Sequence, residues 1–156
     1  MKTYYPPSKP YESFGVSIFL AGSIEQNKAD QWQKYVESQL ENERGMIFNP
    51  RRVNWDTSLK QDINEPVFVE QVNWELYYLE KSDIIFMYFD PKTQSPITLL
   101  EFGKYYDSGK LIVCSPEGFW RRGNLQVCCQ EAGIKLHDNL DTAIEALKLK
   151  ISLARI

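Results

Sequence analysis

DIIFMYFDPKTQSPITLLEFGKYYDSGKLIVC, residues 83–114, is the stretch that decides the fold. Asp83 to Phe89 is a nearly continuous apolar run, the pattern of a strand covered on both faces. A loop from Asp90 to Ser95 follows. Ser95 as N-cap and Pro96 at the first helical position then open a helix, which Gly109 ends. Leu111 to Cys114 is a further short strand. Strand, helix and strand in about 30 residues make a parallel crossover unit.

The same alternation extends in both directions. Upstream, Val16 to Ala21 reads as a strand broken at Gly22-Ser23, and the next helix carries Trp32, Tyr35, Val36 and Leu40 on one stripe. Met46-Ile47-Phe48 is a short strand ended by Asn49-Pro50. Residues 51–64 carry no clean period and read as a long functional loop. Pro66 opens a helix that turns Phe68, Val72, Leu76 and Leu79 to the core. Downstream, a loop from Ser115 to Gly123 precedes a helix near Asn124 to Ala132, then a strand at Ile134 to Leu136. Asp138 caps a last helix with Ile144, Leu147 and Ile151 on its apolar face. The expectation is a single α/β domain over residues 13–156: a doubly wound five-stranded parallel sheet, flavodoxin- or Rossmann-like, with helices on both faces. Met1 to Glu12, rich in Tyr and Pro, reads as an irregular N-terminal arm.

The 156 residues carry a net charge of −3 and no polybasic run, which argues against a nucleic-acid polymer as partner. No stretch approaches the roughly 18 apolar residues of a membrane-spanning helix. Cys114, Cys128 and Cys129 offer neither a disulfide framework nor a closed zinc site, which fits a reduced, cytoplasmic setting. Cys114 lies in an apolar run and reads as a small buried hydrophobe; as a nucleophile it would need the sole histidine, His137. With His137 alone, no metal is indicated, and no cofactor is expected.

In such sheets ligands bind beyond the carboxyl ends of the strands, where the strand order switches. Ala21-Gly22-Ser23, Asn49 to Trp55, Asp90 to Ser95 and Ser115 to Asn124 therefore belong to the expected rim. Glu101 lies four residues after Ile97 and four before Tyr105, on or beside the helix stripe facing the sheet. There the helix N-terminus should keep it ionised, as a nucleophile must be; the plainer alternative is a surface Glu paired with Lys104. Glu75 likewise interrupts the face of Val72 and Leu79. Two carboxylates projecting from neighbouring helices suit glycosidic chemistry, where one attacks and another handles protons. Asp90 can hydrogen-bond a sugar or base, or serve an Asp-Pro turn. Trp55, Phe119 and Trp120 can stack on a base or anchor loops. Arg51, with Arg52, Arg121 and Arg122, can accept a phosphate.

Phe19-Leu20-Ala21-Gly22-Ser23, Val72-Asn73-Trp74-Glu75, Ser82 to Phe86 through Ser95 to Gly103, and Ser115 to Asn124 together resemble the nucleoside 2-deoxyribosyltransferase family, most specifically in Glu101-Phe102-Gly103. The resemblance implies that Glu101 attacks the anomeric carbon of a 2-deoxyribosyl group and that a second base, or water, takes the sugar. Glu75 aligns with the family's active-site Asp, which contacts the sugar and orients the nucleophile. Asn124 matches an Asn that reaches a neighbouring subunit's sugar, which implies a homo-oligomer with shared sites. Ser95 stands where classical transferases carry an acid, a catalytic part that Asp90 could supply for base exchange, and relatives with Ser there include hydrolases of deoxynucleoside monophosphates, in which the Ser contacts phosphate. The N-terminal active-site Tyr is replaced by Ile18, and the C-terminal Tyr is missing from Ala154-Arg155-Ile156. A nucleotide-binding module without catalysis is the reading from a different class.

Overall fold

Short β-branched and aromatic runs make the strands, and each helix that follows covers the apolar face its strand exposes. The structure, a computed structural model, describes residues 1–25, 29–52 and 54–154; Arg155 and Ile156, part of the expected C-terminal departure, lie outside them. The strands are β1 (Lys2–Tyr4), β2 (Val16–Gly22), β3 (Gly45–Phe48), β4 (Ile84–Tyr88), β5 (Leu111–Cys114) and β6 (Leu136–His137). The helices are α1 (Trp32–Gln39), α2 (Pro66–Lys81), α3 (Pro96–Tyr105), α4 (Arg122–Ala132) and α5 (Leu140–Leu153).

Every strand pairing is parallel, and the order across the sheet is β1-β3-β2-β4-β5-β6. Among the described residues the sheet thus has six strands rather than the expected five. The extra strand comes from the arm: Lys2 to Tyr4 pairs with Met46 to Phe48 and closes the β3 edge. Three residues beside a Pro-Pro pair carry no period of their own, so only the partner strand makes them β.

Alternate strand residues feed two cores. Val16, Ile18, Leu20, Ile84 and Phe86 pack with α1 and α5 through Trp32, Val36, Ile144, Leu147 and Ile151. Phe19, Ala21, Ile85, Met87 and Phe89 pack with α2, α3 and α4 through Trp74, Tyr78, Phe102, Tyr105 and Leu125. Full burial of one such large apolar side chain contributes about 1.5–3 kcal/mol.

Several expected details shift. Tyr35 leaves the α1 stripe, and its hydroxyl donates to Asp141 at 2.7 Å. On α2 the buried face is Gln71, Trp74, Tyr78 and Leu79, whereas Leu76 is exposed. Stacking of Tyr78 on Phe48, with ring centroids 3.8 Å apart, fixes that rotation. The last helix is capped by Asn139, whose side chain accepts from the Thr142 N–H, rather than by Asp138. The strand expected at Ile134 to Leu136 forms at Leu136–His137.

Candidate active site

The strand order reverses between β2 and β4, and the segments leaving their carboxyl ends meet there. β2 ends in Ala21 and Gly22. A Cβ on Gly22 would stand 2.5 Å from the Tyr88 carbonyl oxygen and 2.6 Å from the Trp32 ring, and its φ is +156°. The close approach at this glycine is therefore to the protein's own β4 and α1. Ser23 follows as a buried hub. Its N–H donates to the Tyr88 carbonyl at 3.0 Å, and its hydroxyl accepts from the Asp90 N–H at 2.8 Å. That hydroxyl also meets Ser95 and accepts from Thr93 at 2.9 Å, while Thr93 and Ser95 lie 2.7 Å apart.

Three buried hydroxyls thus gather at the start of α3. Ser95 occupies the N-cap position in a left-handed conformation, φ +50° and ψ 54°, and its hydroxyl is spent on this cluster rather than on the helix. The Gln94 and Ser95 N–H groups instead donate to the Glu25 carboxylate, the former at 2.7 Å. An anion at a helix start is favoured by the helix dipole, and here the chain supplies its own.

Asp90 is buried, and both its oxygens accept backbone N–H groups, from Asp30 at 3.0 Å and from Lys92 at 2.9 Å. It ties the loop after β2 to the loop after β4. Arg51 is also buried. It donates to the carbonyls of Ala29 and Asp30 and to Gln33, at 2.9–3.1 Å, which anchors the approach to α1.

The aromatics divide. Phe119 is buried against Phe89 at 5.0 Å between centroids and belongs to the core. Trp120 is half exposed; its ring lies 4.3 Å from the Arg121 guanidinium, and its N–H donates to the Gln94 carbonyl at 2.9 Å. Trp55, partly exposed in the loop after β3, lies under the Arg52 guanidinium at 5.7 Å. Asn124 is exposed on the first turn of α4.

Glu75 on α2 and Glu101 on α3 are both partly buried, and each shifts strongly. Burial pushes Glu75 up to about 7, against the opposing pull of a hydrogen bond from Gln71 and the charge of Arg52. Burial pushes Glu101 further, to about 8, and the charge of Glu75 adds to it. The expectation that the helix N-terminus keeps Glu101 ionised is therefore overturned. Glu101 lies past the first turn, where the dipole has faded, and desolvation wins. Two interacting carboxyls titrate as a pair, so near neutrality they share protons rather than both being charged. Cys114 and His137 face each other in register across β5 and β6, but burial raises the Cys114 thiol to about 12, so no thiolate nucleophile forms.

The profile of the family described as "Nucleoside 2-deoxyribosyltransferase like" matches residues 15–119. The chain belongs to that family. The match spans β2 to the loop after β5, and hence both carboxyls and the hydroxyl cluster. No curated protein matches the sequence. Among solved structures, a conserved protein from Enterococcus faecalis V583 is similar at 16% identity, covering 86% of this chain and 87% of that one, with a TM-score of 0.48. Membership of the family makes this a nucleoside-processing type of protein with a small-molecule nucleoside as its substrate class. Among the described residues, no helix is long and apolar enough to cross a membrane.

Three contributors escape the sequence reading. Gln71 bonds Glu75 from one turn earlier, a spacing visible in the sequence. Thr93 completes the hydroxyl cluster from between Asp90 and Ser95. Glu25 reaches α3 from the loop after β2, which no local pattern announces.

Proposed function

We propose that this protein cleaves the N-glycosidic bond of 2-deoxynucleosides and passes the sugar to a second nucleobase through a glycosyl-Glu101 ester. The observation that carries the reading is the pair of interacting, desolvated carboxyls on α2 and α3. In glycosidic chemistry with retention, one carboxylate attacks and a second polar group manages protons and the sugar hydroxyls.

Glu101 forms a bond to the anomeric carbon as the bond to the base nitrogen breaks. The departing electron pair is neutralised by a proton on the base. A nucleophile must be ionised, so Glu101 gives up its proton before attack. A leaving base needs one, so the carboxyl pair is a proton reservoir matched to the departing group. A second base then displaces Glu101 with a second inversion, and the ring N–H proton it loses returns to the carboxyl pair. Glu75 holds the sugar and orients Glu101, and Asp90 holds the loops over the base. Ser23 and Ser95, with Ala21 and Gly22 behind them, border the sugar, and Trp55 and Trp120 stack on the base. Asn124 reaches a neighbouring copy's site in a cytoplasmic homo-oligomer. No cofactor or metal enters these steps.

Hydrolysis of deoxynucleoside 5′-monophosphates is the second reading, favoured by the hydroxyls of Ser23, Thr93 and Ser95 at the start of α3. Against it, the Glu25 carboxylate already sits on the Gln94 and Ser95 N–H groups and would repel a phosphate there. Chromatography of purified protein with deoxynucleosides and their 5′-monophosphates, each with and without a second base, separates the two. New nucleoside only when a base is added supports transfer. Base release from monophosphates alone makes the protein a hydrolase. Release from neither, with ligand binding that survives Glu101→Gln, would leave a binding module without catalysis.

A further inference from the structure

Gln71 is a buried amide one turn before Glu75 on α2. Its Nε2 donates to the Pro50 carbonyl at 2.9 Å and to the Glu75 Oε1 at 2.6 Å. Its Oε1 accepts from the Arg52 Nε at 2.5 Å. A carbonyl can only accept and a guanidinium can only donate, so these two partners fix which end of the amide is which. Gln71 must therefore turn an N–H, never its oxygen, toward Glu75.

Arg52 is itself held from outside. Its Nη2 donates to Glu70 at 3.1 Å, and its guanidinium lies over the Trp55 ring at 5.7 Å. An arm thus runs from the loop after β3, through Arg52 and Gln71, to the Glu75 carboxyl. The charged groups that act on the pair are Arg52 from that loop on Glu75 and Glu75 itself on Glu101; Glu70 pairs with Arg52. Glu101 is governed instead by burial and by the charge of Glu75.

We infer that Gln71 is a positioning residue, through which the loop after β3 keeps the negative charge of the carboxyl pair on Glu75 and leaves the proton on Glu101. Its catalytic meaning rests on the glycosidic reading above; its electrostatic content does not. A donor locked toward one carboxyl of a coupled pair favours the ionised form of that carboxyl alone. Glu101 is thereby the later of the two to ionise, and its proton stays available until substrate is bound.

The test is a carboxyl-carbon NMR titration of the full chain, with Glu75 and Glu101 assigned by their Gln variants. Gln71→Met keeps the length and removes the donor. The first titration of the pair should then rise by roughly one pH unit, the size expected of a charge-assisted hydrogen bond, and should spread onto Glu101. Arg52→Lys, which keeps the charge, should stay closer to the parent. Should Gln71→Met fail to fold, Arg52→Gln carries the same expectation. A titration that superimposes on the parent's in a folded variant overturns the inference. In the base-release assay, the acid limb of kcat/KM should move with the NMR value. An absence of base release from any substrate counts against the glycosidic reading, while the titration still decides this one.

Discussion

Replacing Glu101 by Gln should stabilise the protein in alkaline solution. In the unfolded chain this carboxyl ionises near 4.5, and in the folded protein near 8. Between those values the folded state holds a proton that the unfolded state lacks, so stability falls as pH rises. At about 1.4 kcal/mol per pH unit, the full interval corresponds to on the order of 5 kcal/mol by pH 9. Glu101 keeps some contact with water, and part of its shift comes from Glu75, so about 2–4 kcal/mol is the expected range. Gln has nearly the same shape and no proton to lose. Urea unfolding at pH 5 and pH 9 reads the effect, with the slope in urea expected to be unchanged. The gap between variant and parent should be small at pH 5 and grow to about 2–4 kcal/mol in the variant's favour at pH 9. Parallel pH dependences would refute a buried, protonated Glu101.

Gly22→Ala should destabilise by about 1–3 kcal/mol or more in thermal unfolding, because the new Cβ meets the Tyr88 carbonyl and the Trp32 ring at 2.5 and 2.6 Å. Phe119→Ala should cost about 3–5 kcal/mol as a core truncation, whereas Trp120→Ala should leave stability within about 1 kcal/mol and raise KM for the nucleoside. kcat/KM for base release should climb from about pH 6 as the Glu75–Glu101 pair, at about 7 and about 8, loses its first proton, and fall above about pH 8 once no proton remains for the leaving base; a flat profile there would exclude both as the controlling groups.

Much of the fold is readable because the signals are local. The apolar run ending at Phe89 and the Ser95-Pro96 start each act within a few residues, whereas α3 stops at Tyr105, ahead of the Gly109 expected to end it. The β1 strand is not readable, because Lys2 to Tyr4 becomes a strand only by pairing with Met46 to Phe48. The rotation of α2 is also hidden. Its sequence offers two competing stripes, and Phe48, from another element, chooses between them by stacking on Tyr78. At the site, Glu75 and Glu101 are visible because each interrupts an apolar helix face. Their protonation is not, since it depends on how tightly neighbouring elements exclude water. Phe119 and Arg51 illustrate the same limit: one is drawn into the core by Phe89, the other spends its donors on the carbonyls of residues 29 and 30.

In the proposed reaction Glu101 carries the sugar covalently. Intact-protein mass spectrometry after brief mixing with a 2-deoxynucleoside, without an acceptor base, tests it directly. An added deoxyribosyl mass, located by digestion to the peptide containing Glu101, removed by a free base and absent from Glu101→Gln, is the predicted result. Base release by the Glu101→Gln variant at the parent's rate, or an adduct on any other residue, would contradict the account.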